Sequence, residues 1–165
     1  MTISDSQSEL SLTTKQFAAR LFTELHQAII AQEAGAIKGV VDAIHDMRVA
    51  IRRQRVALNN FTSCIPHDEH RRLDSHLKKL AVALGGVRDL DVMIETLEAS
   101  LFTRPAPDHQ AIKNLISRLR SRRRRQFRHL KNFLQNEEYA EFKSQFDWSE
   151  PENRTEDQKA HGQAA

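Results

Sequence analysis

The sequence predicts an all-α fold, a helical bundle of about six helices. Three observations carry that expectation. Glycine (5) and proline (4) are scarce in 165 residues, so there are few places to end a helix. Apolar residues recur at three- and four-residue spacing through most of the chain. No stretch sustains the alternation of a half-buried strand. Hydrophobic residues are 39% of the chain, enough for the core of one domain.

The ends are set apart by composition. Residues 1–12 carry Asp5 and Glu9 and no base, and read as a disordered arm. Residues 149–165 read as a disordered polar tail. The helical domain is expected over 13–148. Its first helix runs about 13–34, with Phe17, Leu21, Leu25 and Ile29 four residues apart, and ends at Gly35. The second runs about 41–61 and is broken by "TSCIP". The third runs about 66–84, from Pro66 through Leu73, Leu77, Leu80 and Leu84, and Gly85-Gly86 stops it. The fourth is 87–101, "VRDLDVMIETLEASL", followed by the linker "FTRPAPD". The fifth is long, about 108–135. Asn136 then caps a sixth that reaches Trp148.

Several classes of protein are disfavoured. No apolar run approaches the length of a membrane span, and the start lacks the pattern of a secretory signal. The single cysteine, Cys64, has no intrachain partner, so a reducing cytosol is the default location. The net charge of +3 conceals an asymmetry: 13–148 holds 23 bases and 16 acids, or +7, between mildly acidic ends. A basic body points to an anionic partner.

The charge is most concentrated in "HDMRVAIRRQR", His45 to Arg55. At about 100° per residue, His45, Arg48, Arg52 and Arg55 form one stripe, while Met47, Ala50, Ile51, Ala57, Leu58 and Phe61 lie opposite. Arg53 points away from the stripe. No acid stands three or four residues from any of these arginines, and Arg48 and Arg52 are like charges four apart, which costs roughly 0.2–0.5 kcal/mol. Compensation must come from another helix, an anion, or water and salt. Arginine's planar fork matches phosphate oxygens in bidentate fashion. From spacing alone, a solvated face and an anion site both remain open.

"LKKLAVALGGVRDLDV" (77–92) adds Lys78 and, after the double glycine, Arg88. A Gly-Gly helix start could expose N–H groups to an anion. Asp89 and Asp91 fit a first helical turn better than a metal site. The fifth helix has nine Lys or Arg and no acid between Ala111 and Asn136. Arg123 falls within its apolar stripe (Ile112, Leu115, Ile116, Leu119, Phe127, Leu130, Phe133 and Leu134) and Arg122 at the edge. Snorkelling at a bundle end is the expected arrangement for them, an interior acid or anion the alternative. His67, His70 and His76 match no strong zinc spacing. No nucleophile–base pair is readable, so neither a metal, a cofactor nor a catalytic residue is expected.

The two motifs together resemble the CHAD family, named for histidine-containing α-helical domains; "FLQNEEYAEF" is similar to the family's next helix junction. The resemblance covers about 13–148. It implies a helical domain that binds inorganic polyphosphate through a basic central channel, without catalysis. Carried over by motif, the candidate ligands are His45, Arg48, Arg52, Arg55, Lys78 and Arg88, with Arg53, Arg122 and Arg123 as additional basic contacts. Asp89 and Asp91 would orient arginines. Gln54 departs from the family pattern, standing on the apolar face where an apolar residue is usual. A complete domain of the family has two similar helical halves, and this chain resembles the first, half of a two-fold pseudo-symmetric architecture. A homodimer with helix-two stripes turned to a shared cavity is therefore expected, in a cytoplasmic setting or at polyphosphate granules. Two other functions compete: a nucleic-acid-binding protein using the arginine-rich helix 111–135, and an enzyme on phosphate esters using His45.

Overall fold

The computed structural model describes residues 13–144; the expected arm at 1–12, the tail at 149–165 and the end of the last helix at Trp148 lie outside them. Among the described residues the fold is all helical: α1 Thr14–Ala31, α2 Glu33–Lys38, α3 Val41–Asn60, α4 His67–Ser100, α5 His109–Leu134 and α6 Glu137–Ser144. Two short 3₁₀ turns, Thr62–Cys64 and Ala106–Asp108, connect α3 to α4 and α4 to α5.

Two of the described helices start at a side-chain cap. Thr13 and Gln16 form a capping box on α1: Gln16 N–H donates to Thr13 Oγ1 at 3.3 Å, and Thr13 N–H donates to Gln16 Oε1 at 2.9 Å. Asn136 caps α6 as expected, its Oδ1 accepting from Tyr139 N–H at 2.8 Å. Pro66 precedes the first turn of α4, where Asp68 and Glu69 meet the positive end of the helix dipole.

The first helix, expected to reach 34, breaks at Gln32, and the other differences from the sequence reading are at glycines. Gly35 does not end a helix; it lies inside α2, where a Cβ would stand 2.5 Å from Ala43 Cβ, so its role is to let α2 and α3 touch. The stop is Gly39, in the left-handed region at φ 79°. Gly85 and Gly86 do not stop α4 either. The helix runs unbroken for 34 residues, and the expected third and fourth helices are one. A Cβ on Gly85 would lie 2.8 Å from Arg48 Nη1, and one on Gly86 3.0 Å from Gln126 Oε1. Both glycines make room for side chains of neighbouring helices, and with no helix start there, no exposed N–H groups await an anion.

α1 packs on α3, α3 on α4 and α4 on α5; α2 touches α3 and α5, and α6 closes on α4 and α5. The apolar face of α3 (Ile44, Met47, Ile51, Leu58) meets Leu73, Leu77, Leu80 and Leu84 of α4, all within 2% of full burial. On α1 the buried line is Ala18, Phe22, His26 and Ile29 rather than the expected Phe17, Leu21, Leu25 and Ile29. A strict four-residue repeat drifts off the core because the helix turns every 3.6 residues. Phe17 is 49% exposed, while Leu21 and Leu25 are half-buried at the edge of the core. In the same way α5 buries Ile116, Leu130 and Leu134, but Leu115 stays exposed.

Candidate functional site

α3 is amphipathic in the sense expected, and its apolar face fixes where the cations go. Burying Met47, Ile51 and Leu58 turns His45, Arg48, Arg52 and Arg55 to the opposite side, beside α4. There a groove of about 740 Å³ is lined by His45, Arg48, Arg52 and Arg55 of α3 and by Arg88 and Asp89 of α4, over a floor that includes Val49, Ile51 and Ala81. Helix packing thus brings the four stripe residues into one concavity with Arg88, which is 33 to 43 positions away in the sequence.

The groove cations divide into two groups. Arg48 is held: its Nη1 donates to Asp89 Oδ1 at 3.1 Å, and it lies against the bare backbone of Gly85. Gly85 and Asp89 are one helical turn apart on α4, so seat and counter-ion come from the same face. Arg55 is held more loosely, with Nε 3.6 Å from Asp74 Oδ1, an ion-pair distance rather than a hydrogen bond. Among the described residues, His45, Arg52 and Arg88 have no ion pair or hydrogen bond. The acids missing at helical spacing from the stripe arginines are therefore supplied in part by α4, and the groove remains net positive.

The other candidates lie elsewhere. Lys78 is not in the groove lining; its ammonium is 2.6 Å from Asp74 Oδ2, on the carboxylate whose Oδ1 faces Arg55. Arg53 lines a separate, mostly apolar hollow between α1 and α3, with Leu21, Leu25 and Phe61. Arg122 is exposed on α5. Arg123 does not snorkel. It turns inward to a close ion pair with the buried Asp91, reaches the Gly39 carbonyl at 3.4 Å and lies over the Phe127 ring. The expectation failed because a partner acid on α4 was available at that depth, and pairing satisfies the guanidinium better than a long reach to water. Asp89 and Asp91 both hold arginines, as expected of them.

Asp74 was missed by sequence reasoning. Its pairing with Lys78 four residues on was legible, but that with Arg55 crosses between helices. Gln54 is fully buried on the apolar face of α3, and neither side-chain amide atom has a hydrogen-bond partner among the described residues. His67, His70, His76 and the paired aspartates are not gathered: no described cluster of three His, Cys, Asp or Glu could hold a metal ion. No described helix is long and apolar enough to cross a membrane.

No curated protein and no solved structure matches the chain. The model of the CHAD domain matches residues 20–164, which takes in most of α1, all of α2 to α6, and both walls of the groove. The chain belongs to the CHAD family.

Proposed function

We propose that the groove between α3 and α4 binds inorganic polyphosphate and performs no chemistry on it. The observation that carries this reading is the co-facial set His45, Arg48, Arg52 and Arg55, joined by Arg88 across the groove, with three of the five unpaired. The stripe extends about 15 Å along α3 at 1.5 Å per residue. A single small anion satisfies one or two such groups; a linear polyanion satisfies the row. The family is associated with polyphosphate binding in general, which supports the same ligand. Arg48, already fixed by Asp89 and Gly85, supplies a preorganised fork, and the unpaired Arg52 and Arg88 turn to the chain as it settles. His45 at one end adds a hydrogen bond.

A second copy of this chain covers the groove in this reading. Val56 and Val92 in the groove lining, and Val82 and Met93 on α4, are exposed at 55, 43, 76 and 53%. Apolar side chains around a charged concavity suit a face that another helical half closes. An isologous pair would set two stripes around one cavity, and their mutual repulsion makes the pair depend on the anion.

The reading is tested by titrating polyphosphate with light scattering in parallel. Tight binding that duplex nucleic acid displaces poorly, with mass rising towards a dimer on binding, is expected. Displacement by duplex at equal charge concentration would refute a dedicated polyphosphate groove, and a strict monomer when saturated would remove the shared cavity.

A further inference from the structure

The outer face of α5 carries a second row of cations that the groove does not use. On the helical wheel Arg118, Arg122, Arg125 and His129 fall within an arc of about 60°, opposite the buried Ile116, Leu130 and Leu134. Their spacings of four, three and four residues make a continuous stripe about 16 Å long. All four side chains are exposed, and among the described residues none has an ion pair or hydrogen bond. The carboxylates that reach α5 from α4 go elsewhere: Glu98 pairs with Arg120 at 2.6 Å and Asp91 with Arg123. Both arginines stand on the α4 side of the helix.

From this placement we infer that α5 is a docking surface for duplex nucleic acid, distinct from the groove. The face is convex, a single exposed helix, and a helix of that diameter enters the major groove of a duplex. A thin polyphosphate chain gains more from a concavity. Beside the cations the same face offers Asn114 and Asn132, side chains of a type that donates to phosphate oxygens and base edges. The aromatic residues of α5, Phe127 and Phe133, are packed against the core and not presented for stacking. Single strands depend on such stacking, so a duplex is the partner the face fits. Contact runs mainly to phosphates, with little sequence preference, and it weakens steeply with salt.

The experiment uses the full chain and fluorescence anisotropy with a labelled duplex of about two helical turns, across a salt series, beside a single strand of equal length. The variant Arg118→Gln/Arg122→Gln/Arg125→Gln should bind duplex about tenfold or more weakly at low salt. Its log–log salt slope should be shallower by about three, near one phosphate contact per arginine. Its polyphosphate affinity should stay that of the parent, which also certifies the fold. Arg48→Ala/Arg52→Ala should keep duplex binding. The inference is overturned if the parent does not bind duplex, if the triple variant binds it unchanged, if the groove variant loses it, or if the single strand binds more tightly.

Discussion

Two helices of this protein are rich in arginine and poor in acid, and the bundle treats them differently. The stripe of α3 faces α4, which brings Asp89 to Arg48 and Asp74 to Arg55 and makes a concave wall. Among the described residues, the outer stripe of α5 receives no carboxylate. Equal charge density therefore gives two surfaces with different chemistry. In the groove, cross-helix acids and a bare glycine backbone fix some guanidinium groups in place and leave others free to close on a ligand. Along the outer stripe of α5 the cations are exposed, so binding there is electrostatic and sensitive to salt. Positive charge alone does not define a site; what the neighbouring helix contributes does.

The largest effect should come from removing the groove's cations. Arg48→Ala/Arg52→Ala should lose several kcal/mol of polyphosphate binding, since charge-assisted bonds contribute about 1.5–3 kcal/mol each. The fold should persist, because both lie opposite the apolar face of α3, and circular dichroism with a calorimetric titration reports the two outcomes separately. The triple α5 variant in the same titration should match the parent; an equal loss there would erase the contrast between the helices.

Next is the interior pair that locks α5 to α4. Asp91→Asn leaves the inward-turned Arg123 without its counter-charge, and the urea midpoint should fall by the equivalent of about 2–3 kcal/mol. Polyphosphate affinity should be unaltered, because neither residue lines the groove.

The glycines sharpen the comparison at smaller scale. A methyl at Gly35 meets Ala43 Cβ at 2.5 Å, where no side chain can swing aside, so Gly35→Ala should cost about 1–3 kcal/mol. A methyl at Gly85 meets only the far end of Arg48, and the helix interior gains up to about 1 kcal/mol. Gly85→Ala should therefore melt at or above the parent's temperature while binding polyphosphate several-fold more weakly. A fall in melting temperature matching that of Gly35→Ala would show that Gly85 serves packing rather than the seating of Arg48.

The smallest effect is a pH dependence. His26 is buried against Phe142, and burial holds its pKa below the ordinary 6.5, partly offset by a backbone hydrogen bond at Lys143. The unfolded chain takes up this proton as pH falls through 6.5 while the folded chain resists. Stability is thus full above that value and declines as pH drops towards the folded pKa. His26→Leu should flatten the decline in melting temperature between about pH 7 and 5.5 relative to the parent. Parallel curves would show that other groups carry it.

The helical class, the bounds of α3 and α5 and the cap at Asn136 were legible because local spacing and single side chains determine them. The stripe was legible too, since it follows from helical period alone. The glycines were not. Gly35, Gly85 and Gly86 read as stops because glycine usually is one, yet here each is a place where another helix's side chain comes close, and that is a property of packing. The partners of Arg48, Arg55 and Arg123 were hidden for the same reason: all three acids lie on α4, far outside helical spacing. Arg88 was legible by motif, but its place opposite the stripe, and the absence of Lys78 from the lining, depend on how α4 is rotated against α3.

The most direct test of the central claim, that the groove reads a row of phosphates, is a calorimetric titration with phosphates of graded length from orthophosphate to long chains. Affinity should be weak for orthophosphate, rise steeply until the chain can bridge the arginines along the stripe, and climb slowly beyond that length. Orthophosphate binding as tightly as the long chains would contradict it.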